Sequence, residues 1–270
     1  MPIDKRACLY YNVIKDIKSI QRCKMPRFFV RREQIDEKSV RILGEDAHHI
    51  SRSLRMAAGE TITVSDMQGY EYECRLTDFL EGEVRAEIES VKASENEPPC
   101  FIRLFQALPK GDKMDTVIQK AVECGVGRVI PFESERCVVK MKSDGEDKKT
   151  QRRCRIAEEA AKQCGRSVIP EVSRTVSFSR MVEEALESEL VLFCYEGDGT
   201  QPLGRILDGL CAMPKSISIV IGSEGGFSLS EAERCKEAGM VMTGLGKRIL
   251  RTETASGFVL ACITCFFELF

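Results

Sequence analysis

Two short apolar runs near the carboxyl end of the chain each lead into a glycine-bearing loop, and a helical pattern follows each loop. The first run and its loop span residues 217–228, and the second span residues 241–255. Apolar, β-branched runs of this length are typical of buried strands in a parallel sheet. Glycines directly after such strands let the backbone approach a ligand, and ligands bind at the carboxyl edge of an open α/β sheet. The two units therefore predict a small-molecule site at one sheet edge.

The spacing of these glycines differs from that of the common phosphate-binding motifs. A P-loop needs Ser or Thr after Gly-Lys, but Arg248 follows Gly246-Lys247, and Val241 stands where the first glycine belongs. A dinucleotide-binding fingerprint begins at Gly197 but has Pro202 in its third glycine position. The sequence therefore disfavours a P-loop nucleotide or a dinucleotide as the ligand.

Strand-like and helix-like patterns alternate through the larger, carboxyl-terminal part of the chain. Each predicted strand is followed by a predicted helix, and the pairs are 101–108 with 112–124, 128–132 with 149–164, and 190–195 with 202–210. Such alternation favours a parallel sheet with crossover helices. Pattern alone predicts an unknotted sheet, because true knots are rare in proteins.

The preceding part of the chain shows a different organisation. Four strand-like segments surround one helical segment at 45–56, with a turn signal at 66–69, and they lie at 39–43, 61–65, 70–79 and 84–90. Closely spaced short strands predict a small barrel for residues 25–92. Residues 93–99 are polar and end in Pro98-Pro99, which predicts a linker to a domain at 100–270. Residues 1–24 lack an apolar signal-peptide core and are predicted to be a disordered extension or a mis-assigned start.

Composition excludes several functional classes. The 270 residues carry a net charge of −2, 13 cysteines and 2 histidines. The scattered cysteines do not form a secreted disulfide framework, and the single Cys-x-x-Cys at 262–265 lacks partners for a zinc site. The longest uncharged apolar run, 257–267, is shorter than the roughly 20 residues that a bilayer requires. We therefore expect a cytoplasmic protein without a metal or a membrane partner.

Several sequence blocks occur in the order of a known family, at 25–30, 48–56, 110–115, 118–120, 134–136, 159–166, 222–226 and 245–255. Together they resemble the bacterial ribosomal RNA small-subunit methyltransferase E family of the SPOUT superfamily. The resemblance covers roughly residues 25–268, and its last two blocks are the most specific. Ser223 and Lys247 depart from it, because both stand where the family pattern has proline.

The resemblance implies an α/β fold with two domains. A small PUA-like β-barrel domain precedes a trefoil-knotted, parallel-sheet SPOUT methyltransferase domain, and the chain forms a homodimer. The knot brings the loops at 194–197, 221–227 and 245–254 into one cleft. The implied reaction is transfer of a methyl group from S-adenosylmethionine to N3 of a uridine in 16S (small-subunit) ribosomal RNA, with the small ribosomal subunit as partner.

The resemblance also assigns cofactor-binding residues to the three loops. They are Tyr195, Glu196, Ile221, Gly222, Glu224, Gly225, Gly226, Leu245, Gly246, Ile249, Leu250 and Thr254. Apolar side chains together with backbone hydrogen bonds are what an adenine pocket needs. The alternatives are that Ile249 and Leu250 are core residues, and that Glu224 braces a loop through backbone N–H groups.

Two residues are predicted to act on the substrate. Arg251 would stabilise the developing uridine anion or clamp a phosphate, and its alternative is an ion pair with Glu253. Glu253 would accept the N3 proton, although a carboxylate at a helix start also stabilises the helix dipole.

A third group is predicted to bind RNA phosphates or the flipped base, and it comprises Arg27, Arg52, Arg55, Lys110, Arg136, Gln163 and Arg166. The alternative is that each arginine is an ordinary solvated surface residue without a role in RNA binding. Two other functions remain open: an RNA-binding paralogue without turnover, and a methyltransferase that acts on another RNA or on a ribose hydroxyl.

Overall fold

The computed structural model describes residues 25–140 and 145–269. The predicted extension at 1–24 lies outside the described residues. Within the described residues, the chain divides after Ser94 into two compact units, and the second begins at Glu95.

The first unit is built on a five-stranded mixed sheet. Its strands are β1 (Arg27–Phe29), β2 (Ser39–Leu43), β3 (Thr61–Ser65), β4 (Tyr70–Leu80) and β5 (Glu83–Ala93). They are ordered β1-β3-β4-β5-β2, with β1 parallel to β3 and the other pairs antiparallel. A short helix α1 (Gly44–His48) continues as a π-helical turn (His49–Ser53), and a 3-10 turn lies at Arg32–Gln34.

Alternation of buried and exposed residues gives this sheet one apolar face. On β2, Val40 and Ile42 are buried while Arg41 between them is exposed. They join Ile50 from the π-helical turn and Ile62 from β3 in one hydrophobic core. The alternation predicted β2 and β3 with the observed bounds, whereas β1 was not predicted because it has only three residues.

In its described residues, the second unit contains eight strands that all pair in parallel. They are β6 (Phe101–Ala107), β7 (Arg128–Glu133), β8 (Glu171–Val172), β9 (Val176–Ser177), β10 (Leu190–Cys194), β11 (Gln201–Pro202), β12 (Ser216–Ile221) and β13 (Val241–Gly244). Their order is β11-β13-β10-β12-β6-β7-β8, and β9 also pairs with β7. The predicted parallel sheet is therefore confirmed.

Six helices in the described part of this unit connect and cover the strands. They are α2 (Lys113–Glu123), α3 (Glu146–Cys164), α4 (Phe178–Ala185), α5 (Leu203–Asp208), α6 (Leu229–Glu237) and α7 (Thr252–Glu268). A capping box of Ser228 and Glu231 starts α6, and the Ser-x-x-Glu spacing that forms it is visible in the sequence. Helix α3 begins at Glu146, three residues before the start that the sequence predicted, and ends at Cys164 as predicted.

Strand order explains why three loops meet. Strand β10 lies between β12 and β13, and all three are parallel, so their carboxyl ends meet at the same edge. The loops after them begin at residues 195, 222 and 245. Strand β13 separates β10 from β11, although these two are consecutive in the chain. Such an insertion is a feature that a knotted chain requires, and the knot itself stays a prediction.

Candidate functional site

The three loops line one cleft of about 740 Å³ at the carboxyl edge of the sheet. The cleft is lined by residues 194–197, 221–227 and 244–252, and by Lys113, Arg136, Thr200 and Ala255. Ligand pockets in proteins commonly have volumes of roughly 300–1,000 Å³. The cleft therefore has the size of a small-molecule site, and the two sequence units of the carboxyl end meet in it as predicted.

The loop after β12 is held in a tight turn. The Gly226 N–H donates to the Ser223 carbonyl at 2.9 Å, and Gly226 has a φ of +64°. A Cβ on Gly222 would lie 3.1 Å from the Phe227 ring and 3.2 Å from the Gly226 Cα. Phe227 is buried, and its ring centroid lies 4.4 Å from that of Phe193. The turn therefore depends on glycine at 222, and it forms with serine at 223.

The carboxylate of Glu224, in the same loop, is held by two residues at or just before the start of α2. It accepts the Lys110 N–H at 3.1 Å and the Lys113 Nζ at 2.8 Å. Burial alone would raise the pKa of Glu224, but the hydrogen bonds and the charge of Lys113 lower it below its usual value. These contacts favour the loop-bracing alternative for Glu224 over a contact with ribose.

The loop after β13 presents its side chains at the surface. Gly246 has a φ of +106°, and the Ile249 side chain is exposed, so Ile249 is not a core residue. Arg251 is exposed, and its guanidinium makes no hydrogen bond or ion pair within residues 25–140 and 145–269. The alternative of an Arg251–Glu253 ion pair is therefore not realised. Glu253 instead has its Oε2 3.6 Å from the Lys113 Nζ.

A buried hydrogen-bond network supports the cleft from behind. The Thr252 hydroxyl donates to the Gly222 carbonyl at 2.6 Å and accepts from the Gln106 Nε2 at 2.8 Å. Gln106 lies on β6 and is fully buried. Sequence reasoning missed both residues, although a glutamine near the end of a predicted buried strand is a signal, because a buried amide needs partners.

The structure brings all but one of the predicted cofactor residues to the cleft. Thr254 is the exception, because it is exposed on α7 and does not line the cleft. Thr252, two residues earlier on α7, is buried and lines the cleft instead. Lys113 is a second cleft residue that was not predicted, although it lies inside the sequence block at 110–115.

Two of the predicted RNA-binding residues are engaged inside the protein. Arg27 pairs with the buried Glu71 at 2.8 Å, and its own side chain is only 12% exposed. Arg166 is buried and binds Glu97 as well as the carbonyls of Val122 and Val126. These internal partners favour a structural role for the two arginines, and their contact with RNA stays a prediction.

The other predicted RNA-binding residues are exposed, namely Arg52, Arg55, Lys110, Arg136 and Gln163. Arg136 also lines the cleft and donates to the Gly225 carbonyl at 3.2 Å. A Cβ on Gly225 would lie 3.1 Å from the Arg136 Cβ, so the two backbones pack closely.

No group of three or more metal-ligating side chains occurs in the part of the chain that the structure describes. In the same residues, no helix combines the length and the hydropathy that a membrane span needs.

Two family models match the chain. A model described as an RNA methyltransferase domain matches residues 96–264, and one described as an RNA methyltransferase PUA domain matches residues 42–89. These ranges fall in the second and first units, respectively. The PUA-like domain and the methyltransferase domain that the resemblance implies are thereby confirmed.

Similar proteins of known name or structure support the same assignment. The ribosomal RNA small subunit methyltransferase E of Bacillus subtilis is 35% identical over 89% of this chain and 96% of its own length. That of Synechocystis is 32% identical over 90% of this chain and 78% of its own length.

Solved structures agree with these sequence matches. The Neisseria gonorrhoeae ribosomal RNA small subunit methyltransferase E, bound to S-adenosylmethionine, has a TM-score of 0.78 and 30% identity over 90% of this chain and 98% of that one. A Legionella pneumophila methyltransferase solved with the same cofactor has a TM-score of 0.79 and 31% identity over 89% and 97% of the two chains. The chain therefore belongs to the ribosomal RNA small subunit methyltransferase E family.

Proposed function

We propose that this chain is an S-adenosylmethionine-dependent enzyme that methylates N3 of a uridine in 16S ribosomal RNA. The observation that carries the proposal is the cleft, which Arg251 lines with an unpaired guanidinium beside the glycine turn at 222–226. Glu253 does not line the cleft but follows in the first turn of α7, where its carboxylate lies near the cleft residue Lys113. Membership of a family of RNA-modifying enzymes supports the same reaction class.

The residues of the cleft fit S-adenosylmethionine. Its apolar part comes from Ile221, Leu245 and Leu250, which suit an adenine ring, and its glycines expose backbone groups for hydrogen bonds. Gly222, Gly225 and Gly226 line the cleft without side chains, so their backbone can lie close to a ligand. The relatives from Neisseria and Legionella were solved with this cofactor, which supports the proposal.

Methyl transfer to uridine N3 needs a positioned acceptor and removal of the N3 proton. When bound, S-adenosylmethionine supplies a methyl group that can be transferred by direct displacement. Arg251 would stabilise negative charge on the uracil as N3 loses its proton, because its guanidinium has no internal partner to give up. Glu253 would accept the proton, since it is the carboxylate nearest to Arg251 in the chain.

The partner and the assembly belong to the same proposal. We infer that the substrate is 16S ribosomal RNA within the small ribosomal subunit, that the enzyme is a homodimer, and that it acts in the cytoplasm, where ribosomal RNA is modified. The name of the Bacillus subtilis relative supports the substrate class.

The decisive measurement is methyl transfer from labelled S-adenosylmethionine to small ribosomal subunits that lack native methylation. The product nucleoside is identified by mass and retention, and 3-methyluridine is expected. Another methylated nucleoside would contradict the assignment of the N3 atom. Absence of transfer despite cofactor binding would point to a different RNA or a different acceptor atom. If the wild type and Arg251→Ala both bind RNA and neither transfers a methyl group, the result would favour an RNA-binding paralogue, which the departures at Ser223 and Lys247 motivate.

Substitution of Arg251 tests its role in the chemical step. In Arg251→Ala, we expect kcat to fall by roughly 10²-fold or more while the Kd for S-adenosylmethionine changes less than about threefold, because the guanidinium acts on charge that develops in the transition state. Arg174→Ala is the control, since Arg174 is exposed and pairs with Asp147 away from the cleft. An Arg251→Ala enzyme with unchanged kcat would contradict the assignment.

A further inference from the structure

Lys113 connects two parts of the cleft that come from distant positions in the sequence. It is the first residue of α2, and its Nζ lies 2.8 Å from Glu224 Oε1 and 3.6 Å from Glu253 Oε2. Glu224 belongs to the turn at 222–226, whereas Glu253 is in the first turn of α7. One ammonium group therefore contacts both the glycine turn and the start of the helix that carries the proposed proton acceptor.

The stability of α2 does not account for a lysine at this position. The amino-terminal end of a helix carries a partial positive charge, so a cation in its first turn is unfavourable. The compensation comes from outside the helix, where hydrogen bonding to Glu224 raises the pKa of Lys113 in spite of partial burial. The local cost and the external partners together indicate a role in the cleft.

Apart from the amino-terminal end of α7, Lys113 is the charged partner that the described residues give to Glu253. The Oε2 of Glu253 is shielded from solvent and has no hydrogen-bond partner among the described residues. The side chain of Glu224 approaches the same ammonium group. Both carboxylates lie within 4 Å of the Lys113 Nζ, so they are close to each other. Without Lys113, no cation would stand between these two negative charges, and they would repel each other.

We infer that Lys113 is a positioning residue that ties the cofactor-binding turn to Glu253, so that the proton acceptor is held in place when the turn has its cofactor-binding conformation. The inference rests on the proposed function. In this assignment, α2 supplies the cation that links the glycine turn to α7. An arginine can replace the bridge because it also offers several N–H donors, whereas methionine keeps the length without the charge.

The test compares Lys113→Met and Lys113→Arg with the wild type in the full-length chain. For Lys113→Met, we expect kcat to fall by roughly 10–100-fold and the Kd for S-adenosylmethionine, measured by calorimetry without RNA, to rise about three- to tenfold. The KM for the ribosomal subunit should change little, because Lys113 does not bind RNA in this assignment. Lys113→Arg should restore both kcat and Kd to within about threefold of the wild type.

Lys120→Met is the matched control, because Lys120 lies on the same helix and pairs with Glu123 at 2.8 Å outside the cleft. It should leave kcat and Kd unchanged. A double-mutant cycle with Glu224→Gln measures the coupling between Lys113 and Glu224. In the Glu224→Gln background, Lys113→Met should change the cofactor Kd by a factor at least about threefold smaller than in the wild type.

Three outcomes would overturn the inference: unchanged kcat and Kd in Lys113→Met, additive effects of the two substitutions on Kd, or a failed rescue by arginine with a loss of thermal stability. The proposed function fails independently, when the wild type itself transfers no methyl group to the ribosomal subunit. The calorimetric Kd still tests the bridge in that case.

Discussion

At the scale of single residues, Gly222 shows how a missing methyl group shapes the cleft. A Cβ there would meet the Phe227 ring at 3.1 Å and the Gly226 Cα at 3.2 Å, and neither neighbour can move freely. Phe227 is buried among aromatic rings, and Gly226 is fixed by its hydrogen bond to Ser223. Glycine at this position is therefore a steric requirement of the fold.

For Gly222→Ala, we expect a loss of about 1–3 kcal/mol in the free energy of unfolding and cofactor binding weakened at least about tenfold, because an overpacked turn must shift. Chemical denaturation and calorimetry measure the two effects. Gly204→Ala is the control, because Gly204 lies in α5, has no positive φ and has open space around it. It should be neutral or slightly stabilising, and a similar loss in both variants would contradict the steric account.

At the same scale, the hydroxyl of Thr252 makes two buried hydrogen bonds that valine cannot make. Thr252→Val should lower the free energy of unfolding by about 2–4 kcal/mol, because the Gly222 carbonyl and the Gln106 amide both lose a partner. Cofactor affinity should fall with it, since Gly222 lines the cleft.

Thr150→Val is the matched control for Thr252→Val. The Thr150 hydroxyl on α3 is buried but has no hydrogen-bond partner among the described residues. Its removal should be neutral or stabilising by urea denaturation. If Thr150→Val destabilises the protein as much as Thr252→Val does, the difference in hydrogen bonding is not the cause.

At the scale of structural elements, Arg166 ties the end of α3 to the start of the second unit. Its guanidinium binds Glu97 and the carbonyls of Val122 and Val126 next to α2. Glu97 also accepts the N–H groups of Ser167 and Val168. The cluster closes a junction of three segments that are distant in sequence, and its role is structural.

For Arg166→Met, we therefore expect a loss of about 2–4 kcal/mol in the free energy of unfolding, because the half-buried Glu97 and two backbone carbonyls lose the buried guanidinium that they bind. Methyl transfer per folded molecule should stay within about threefold of the wild type. Arg152→Met, which removes an exposed ion pair with Asp115, should cost less than about 1 kcal/mol. Full stability of Arg166→Met together with weakened RNA binding would restore the RNA-contact assignment.

At the scale of the whole molecule, the net charge of −2 does not show which basic side chains are available to bind RNA. Arg52 and Arg55 of the first unit are exposed, whereas Arg27 in the same unit is paired with Glu71. RNA affinity that arises from phosphate contacts depends on salt through counterion release. The exposed arginines should therefore contribute to the salt dependence, and the paired one should not.

The double variant Arg52→Gln, Arg55→Gln should bind ribosomal RNA more weakly, with the slope of log K against log salt reduced by roughly one per phosphate contact removed. Arg27→Met should leave that slope unchanged and lower the stability instead, because the buried Glu71 then keeps only the more distant and exposed Lys92 as a cation. Binding titrations at several salt concentrations measure the slope. An unchanged slope in the double variant would exclude these two arginines from the RNA surface.

The amino-acid sequence by itself determined the longer strands, most helices, the two-part organisation and the two glycine loops. These features depend on local periodicity, on turn chemistry and on motif spacing, which can be read along the chain. The bounds of β2 and β3 and the capping box of α6 are examples. The same local signals gave the loops that line the cleft.

Only the tertiary structure decided which charged residues are free and which are paired. Arg166 and Arg251 are both arginines in family-like blocks, yet one is buried against Glu97 and the other stands unpaired in the cleft. Lys113, Gln106 and Thr252 became part of the site only when β6, β12, α2 and α7 came together. Charge pairing and burial depend on contacts between segments more than 100 residues apart in sequence, and no local pattern encodes such contacts.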